Sequence, residues 1–277
     1  MQVLKTKAAF RAARSAFGTL GFAPTMGFLH EGHLSLMRRA KVENGAAAAS
    51  IFVNPTQFAP GGDFDRYPRA LERDLAMLDS AGVDLVFAPD PAEMYPPGFD
   101  ARIEIGGVTE GLEGASRPGH FSGVATVVAK LINVVQPTRA YFGQKDAQQA
   151  EVIQKLVRDL DMPVEIVIAP TIREADGLAM SSRNSYLNPD QRKAATVLYR
   201  ALNTAKALFD TGERDAARLR QAMTQALAAE PVAEVDYVSI ADPDTLKELA
   251  AVGASGALAS MAVKVGPARL IDNLRLG

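Results

Sequence analysis

Residues 20–54 run LGFAPTMGFLHEGHLSLMRRAKVENGAAAASIFVN, and the reading of this stretch decides the fold. LGFAPTMG (20–27) is a short apolar strand that leaves its sheet through Pro24, Thr25 and Gly27. In HLSLMRRAKVENG (33–45), Leu34, Met37 and Ala40 or Lys41 recur at helical spacing, and Asn44-Gly45 supplies the stop. AAAASIFVN (46–54) follows as a nearly uninterrupted apolar run. That is how a strand reads in a parallel sheet whose two faces are covered by helices.

The alternation continues outward. Residues 5–17 predict a short surface helix ended near Gly18, and Leu71, Leu75 and Leu78 mark a helix over 68–82 ahead of a strand at 83–89. A helix over 123–137, closed by Pro137, precedes a strand at 139–143; a helix over 146–160 precedes one at 164–170. Strands and helices joined by short Pro/Gly turns predict an α/β fold, a Rossmann-like doubly wound parallel sheet. Beyond residue 171 the texture changes to one long helix over 188–212, a second over 215–229, and strands at 234–242 and 257–273. The expected division is a domain at 1–171 and a smaller α+β domain at 172–277.

Composition narrows the function classes. Of 277 residues, 48% are hydrophobic, enough for a substantial core. Lys+Arg of 30 against Asp+Glu of 32 gives a formal charge of −2, which argues against a nucleic-acid partner but permits a local basic pocket for a phosphorylated small molecule. Without cysteine there are no disulfides, thiol nucleophiles or thiolate metal sites. His30, His33 and His120 are the only histidines, so a histidine-rich metal site is not expected. No apolar run has the length of a membrane span and no signal-peptide pattern opens the chain, so a cytoplasmic protein without a membrane partner is expected.

His30 and His33, with Gly32 between them, sit where the first strand hands over to a helix. If His33 lies in the first helical turn, the two rings and the free amides there can meet one anion. Gly32 lets a large group such as an adenine ring approach the backbone. Imidazoles can also stabilise charge that grows on phosphate oxygens in a transition state. The alternative is two incidental surface histidines. Neither the P-loop nor the G-x-G-x-x-G fingerprint is present.

This stretch resembles the HxGH motif of the nucleotidyltransferase superfamily, which includes class I aminoacyl-tRNA synthetases. The longer string PTMGFLHEGHLSL (24–36), with FVNPTQF (52–58), YFGQKDAQQ (141–149) and DGLAMSSRNSYL (176–187) in the same order, is similar to the pantothenate synthetase (pantoate–β-alanine ligase) family. The resemblance spans essentially the whole chain. It implies ATP-dependent adenylation of pantoate, then attack by β-alanine to give pantothenate and AMP, with Mg²⁺ accompanying the ATP phosphates and a homodimer as the assembly. It also implies nucleotide contacts from Met26, Gly27, Phe28, Leu29, His30, Glu31, Gly32 and His33, and from Ile172. Pro24 and Met26 are implied on the pantoate side.

The other motifs carry their own chemistry. Asn54 and Gln57 follow a strand's C-terminal end, where ligands collect in parallel sheets, and Gln57 can both donate and accept; the alternative is an Asn-Pro turn with a solvated Gln57. The family assigns Gln57 to pantoate and to the β-alanine step. Lys145 supplies a mobile cation for triphosphate and Gly143 permits close approach, while helix capping alone would explain Asp146. The resemblance places Gly143, Gln144, Lys145 and Asp146 around ATP and Gln149 on pantoate. Met180, Ser181, Ser182 and Arg183 form a loop able to grip phosphate oxygens and close over ATP, resembling the superfamily's K-M-S-K-S-type loop without its first lysine; otherwise it is a linker. GLEGASRPGHFSGV (111–124) is expected as a mobile cover with Arg117 as a charge partner, and His120 is equally readable as a structural histidine. Asp63, Asp65, Glu72 and Asp74 read mostly as a solvated face, with Asp74 the acid expected to meet Mg²⁺, through water.

The implied chemistry makes His30, His33, Lys145 and Arg183 the catalytic candidates, sharing charge during phosphoryl attack. His33 is either a general acid or an electrostatic stabiliser in the second step. The competing readings are a nucleotidyltransferase acting on a phosphorylated acceptor, a tRNA ligase, which lacks a basic stripe here, and a nucleotide-binding module without turnover.

Overall fold

In the computed structural model, which describes residues 1–59 and 61–277, the chain runs β1 (Gln2–Leu4), α1 (Lys7–Arg14), β2 (Gly21–Thr25), α2 (Glu31–Asn44), β3 (Ala47–Ile51), α3 (Leu71–Ser80) and β4 (Leu85–Phe87). It continues through α4 (Pro91–Met94), α5 (Glu113–Ser116), α6 (His120–Val135), β5 (Arg139–Gly143), α7 (Ala147–Asp159) and β6 (Glu165–Ala169). The remainder is α8 (Pro189–Ala194), α9 (Val197–Asp210), α10 (Ala216–Ala228), β7 (Ala233–Ala241), β8 (Ala257–Val265) and β9 (Ala268–Leu276).

The first six strands form one sheet in the order β1-β4-β3-β2-β5-β6, every pair parallel. From β2 the chain adds strands first on one side and then, from β5, on the other. The strand order therefore reverses between β2 and β5, the place where open α/β sheets bind ligands. The β2–β5 ladder pairs Gly21 with Arg139 and Phe22 with Ala140, at the N-terminal ends of the strands. Small residues set how closely α2 lies on this sheet: a Cβ at Gly21 would stand 2.6 Å from Asn44 Nδ2 and 2.8 Å from Ala40 Cβ. Leu34, Met37 and Ala40 of α2 pack with Ala23, Ala47 and Ala49 in the core.

By contact the chain divides into two compact units. One comprises Met1–Gly106, Arg117–Gly143 and Gln149–Pro170; the other comprises Gly107–Ser116, Gln144–Gln148 and Thr171–Gly277. The second unit thus includes two short segments from the first half of the chain. Its centre is the antiparallel sheet β7-β8-β9, on which Leu198, Leu202, Leu219, Met223 and Leu227 of the helices meet Ile240, Met261 and Val263. Burying each such aliphatic side chain contributes about 1.5–3 kcal/mol.

Several boundaries differ from the sequence pattern. The helix expected over 188–212 is two, α8 and α9, because the Thr196 hydroxyl donates back to the Lys193 carbonyl at 2.8 Å and disturbs the ladder there. The strand expected over 257–273 is the hairpin β8–β9, which turns at Gly266 with φ +56°. α6 starts at His120, three residues before the expected 123. Strand β1 carried no signal in its three residues. Among the described residues, no helix is long and apolar enough to cross a membrane.

Candidate active site

The turn between β2 and α2 is held from below by α3. Gly27 and Phe28 both have positive φ, +83° and +50°, which turns successive amides toward one point. Asp74 occupies that point: its Oδ2 accepts from the Phe28 N–H at 2.7 Å and its Oδ1 from the Leu29 N–H at 2.8 Å. A concavity of this kind usually takes an anion, and here the anion is the protein's own carboxylate. Arg73 completes the clasp, donating to the Leu29 carbonyl at 3.0 Å and lying 5.2 Å from the Phe28 ring centre. A Cβ on Gly27 would come within 3.0 Å of Asp74 Oδ2.

This geometry corrects one expectation. Asp74 is not a solvated acid reaching for Mg²⁺; it is 1% exposed and both oxygens are used by the turn. The Phe28 and Leu29 amides are occupied by the same carboxylate. No group of three or more His, Cys, Asp or Glu side chains able to hold a metal ion occurs among the described residues. A directly protein-bound Mg²⁺ therefore does not fit Asp74.

What the clasp leaves presented is the start of α2. His30 is its N-cap, in extended conformation, and His33 stands in the first turn. The His30 N–H donates to His33 Nδ1 at 3.3 Å. A backbone N–H can only donate, so Nδ1 accepts and the neutral ring carries its proton on Nε2. The two imidazoles lie side by side, ring centres 4.0 Å apart. The His33 and Leu34 amides turn back to the His30 carbonyl at 2.8 and 3.2 Å, which leaves the Glu31 and Gly32 amides as the open donors of the helix start among the described residues. His33 Nε2–H and those two amides make a donor group suited to phosphate oxygens.

Asn54, Gln57 and His120 build the neighbouring part of the same unit. Asn54 caps the 3₁₀ turn Pro55–Gln57. Its Nδ2 donates to the Gly123 carbonyl at 3.1 Å and to Gln57 Oε1 at 3.0 Å, while Oδ1 accepts from the Tyr95 hydroxyl at 2.7 Å and the Thr56 hydroxyl at 2.9 Å. The Gly123 carbonyl needs a donor, so the orientation of the Asn54 amide is fixed, and with it that of Gln57. Gln57 must present Nε2, which lies 3.2 Å from Met26 Sδ. Asn54 is 1% exposed with its amide engaged inside the protein, and it orients Gln57. Gly123 allows the approach, since a Cβ there would lie 2.4 Å from the Thr56 carbonyl oxygen.

Arg117 and His120 complete this corner. An Arg117 Nη1–H can only donate, so at 3.2 Å it requires an unprotonated His120 Nε2; His120 Nδ1–H then donates to the Gln57 carbonyl at 2.9 Å. His120 is thus the structural histidine of the two readings, and it joins Arg117 to the Gln57 backbone. Pro24 lies within β2, and Gln149 is half-buried at the start of α7.

In the second unit, Gln144–Asp146 is a 3₁₀ turn, and Lys145 Nζ lies 3.4 Å from Asp146 Oδ1. Gln144, expected at the nucleotide, directs its amide Nε2 to Asn273 Oδ1 at 3.2 Å, a use as a brace. Ser181 caps the turn Ser182–Tyr186 by accepting from the Arg183 N–H at 3.3 Å, and Ser182 is buried. The Met180 N–H donates to the Ile172 carbonyl at 3.0 Å across this loop. The 111–124 segment is not one free cover. Residues 107–116 belong to this second unit, with buried Glu113 paired to Arg269 at 2.7 and 2.8 Å, whereas 117–124 belong to the first. Gln148, which the sequence did not single out beside Gln149, is buried and donates to the Val108 and Gly111 carbonyls at 2.9 and 2.8 Å.

Comparison with known proteins agrees with the motif order. The sequence model of the pantoate-beta-alanine ligase family matches residues 2–275. The pantothenate synthetase of Herpetosiphon aurantiacus is 64% identical over 274 residues, 99% of each chain, and that of Gluconobacter oxydans 57% identical over 276 residues, 100% of each. The crystal structure of pantothenate synthetase from Thermus thermophilus superposes with a TM-score of 0.95 at 53% identity over 99% of both chains. A Francisella tularensis pantoate-beta-alanine ligase complexed with beta-gamma ATP and beta-alanine matches with a TM-score of 0.83 at 35% identity, covering 99% of this chain and 97% of that one.

Proposed function

Because the chain belongs to the pantoate–β-alanine ligase family, and so condenses pantoate with β-alanine through an adenylate at the expense of ATP, we propose that His33 is the donor that stabilises the first step. The observation that carries this reading is the His30 N–H bond to His33 Nδ1, which puts the proton of the neutral ring on Nε2 in the first turn of α2. As the pantoate carboxylate attacks the α-phosphorus and pyrophosphate leaves, charge grows on non-bridging oxygens, and His33 with the Glu31 and Gly32 amides answers it. His30 contributes by fixing the His33 tautomer through its amide.

Gln57, oriented by Asn54, offers its Nε2–H donors to pantoate, and Gln149 reads pantoate's other polar groups. Both are neutral, so neither places a like charge beside the substrate carboxylate. Lys145, Ser182 and Arg183 bear on the triphosphate, with ATP taken as its magnesium complex. In the second step the neutral amine of β-alanine attacks the acyl carbon and AMP departs; no enzyme nucleophile is required, in keeping with a chain that has no cysteine. The enzyme acts as a homodimer in the cytoplasm, and sedimentation at twice the chain mass checks the first of these.

Rapid-quench analysis tests the scheme. With ATP, Mg²⁺ and pantoate alone, about one equivalent of adenylate per site and a matching burst of pyrophosphate are expected, because an acyl adenylate must be kept from water. AMP and pantothenate follow when β-alanine is added. An AMP burst that requires β-alanine, with no adenylate at the shortest times, would overturn it.

A further inference from the structure

Strand β9 carries a buried pair outside every motif described above. Asp272 is 2% and Asn273 5% exposed. Asn273 Nδ2 donates to the Gln144 carbonyl at 3.0 Å and to the Lys145 carbonyl at 2.8 Å, and its Oδ1 accepts from Gln144 Nε2 at 3.2 Å. Two backbone carbonyls and one amide of the same short turn are therefore held by a single side chain from the last strand. The two carbonyls demand donors, so the Asn273 amide has one orientation only.

Asp272 does the corresponding work on the other side. It takes the Arg173 guanidinium in two bonds, 2.6 and 2.9 Å, and Oδ1 also accepts the Asn273 N–H at 2.8 Å. Arg173 reaches on to the Asn273 carbonyl at 3.3 Å and the Gly177 carbonyl at 3.1 Å, and its guanidinium lies 4.2 Å from the Tyr199 ring centre. Gly177 admits that ring, since a Cβ would fall 2.0 Å from a Tyr199 carbon. One residue pair on β9 thus registers the Lys145 turn and the loop that leads to Ser181–Arg183 against the same strand.

We propose that Asn273 is a positioning residue for the adenylation step: it sets the Lys145 turn, braced by Asp272–Arg173, so that the ammonium is placed for the triphosphate before ATP arrives. The inference rests on Lys145 being a triphosphate partner. The anchor is neutral and donor-rich on the side that faces the turn. It therefore holds the backbone without adding a carboxylate that would compete with phosphate for the lysine.

The decisive experiment is a double-mutant cycle between Asn273→Asp and Lys145→Ala, read as kcat/KM for ATP in pantoate-dependent pyrophosphate release. Asn273→Asp keeps the shape but turns a carboxylate oxygen toward two carbonyls. It is expected to lower kcat/KM for ATP by about 10–100-fold, the scale of a misplaced reacting group. Pantoate affinity and the attack of β-alanine on preformed adenylate should be unchanged. In the Lys145→Ala background the same change should cost less than about twofold. Losses that multiply in the double variant would show that Asn273 does not act through Lys145, and wild-type kinetics in the single variant would overturn the proposal outright. If Lys145→Ala alone leaves ATP use intact, the reading of Lys145 fails rather than the coupling. Asn273→Ala, which removes the donors without adding charge, serves the same cycle if circular dichroism shows the aspartate variant unfolded.

Discussion

Two short 3₁₀ turns, Pro55–Gln57 and Gln144–Asp146, follow the C-terminal ends of parallel strands, and each is held by a buried asparagine whose amide is fully engaged. The first turn is held by Asn54, its own N-cap, three residues from the Gln57 it orients. The second is held by Asn273, 128 residues beyond Lys145. The Asn54–Gln57 contact can form with the turn itself, and the Gly123 carbonyl and Tyr95 hydroxyl then fix the Asn54 amide. A remote brace exists only after β9 is in place. The two turns show the same chemistry at opposite ends of contact range, and substitutions can weigh the two against a common standard.

His33 supplies that standard, because it belongs to neither turn. His33→Ala should keep the fold, losing little buried surface, yet slow adenylate formation by about 10²–10³-fold, the effect of removing one well-placed transition-state donor. Single-turnover formation of adenylate measures it directly. Near-normal adenylation by a folded variant would remove His33 from the mechanism, and any turn variant exceeding this loss would mean that the turns hold more of the chemistry than the histidine.

At the local brace the loss should appear in pantoate rather than ATP. Gln57→Ala is expected to weaken pantoate by about 1–3 kcal/mol, since a buried polar group of the substrate is left unpaired. Asn54→Ala should reproduce most of that loss indirectly, by freeing Gln57, and should add a stability penalty of the same order from the hydrogen bonds lost to the Gly123 carbonyl and the Tyr95 and Thr56 hydroxyls. Calorimetry of both ligands on the two single variants and the double variant decides the point. Non-additive pantoate losses with unchanged ATP affinity support the Asn54–Gln57 assignment, and lost ATP affinity with intact pantoate binding reverses it.

The clasp beneath the HxGH turn gives a smaller effect and separates structure from metal binding. Asp74→Asn replaces one acceptor by a donor facing the Phe28 or Leu29 N–H. It should cost about 1–3 kcal/mol of stability while activity falls only a few-fold. The Mg²⁺ concentration giving half-maximal rate should not move. A tenfold rise in that concentration at unchanged stability would restore Asp74 to the metal.

The contrast also explains what could be read in advance. The parallel sheet was legible because apolar runs such as Ala47–Ile51 and the helical spacing of Leu34 and Met37 are local patterns. His30 and His33 were legible for the same reason, their roles following from position at a helix start. Asp74 looked like one acid among several on an exposed helix, and nothing in its neighbours announces the positive φ at Phe28, 46 residues earlier, whose amide it receives. Gln148 and Gln149 are adjacent and chemically identical, and only the fold gives one a bracing role against Val108 and Gly111. Asn273 and Asp272 lay in what read as the later part of a single strand, because the hairpin at Gly266 was not separated from the run around it. Long-range polar pairs have no periodicity, so pattern reading passes over them.

The smallest effect lies within the local brace. Asn54 Oδ1 accepts from the Tyr95 hydroxyl at 2.7 Å and from the Thr56 hydroxyl at 2.9 Å, so one donor can be lost while the amide keeps its place. Tyr95→Phe should therefore cost about 0.5–1.5 kcal/mol of stability, the net worth of one hydrogen bond, and should leave pantoate affinity within about threefold. Burial pushes the Tyr95 phenol above its ordinary range, partly offset by the Thr56 hydroxyl, so it remains a neutral donor at neutral pH. A raised folded-state pKa gives stability that is complete below the unfolded value near 10 and is lost as pH rises through the folded value. Wild type should accordingly lose its advantage over Tyr95→Phe only in strongly alkaline solution, as read from urea midpoints across pH. A Tyr95→Phe enzyme that loses pantoate as severely as Asn54→Ala would show that the brace has no redundancy.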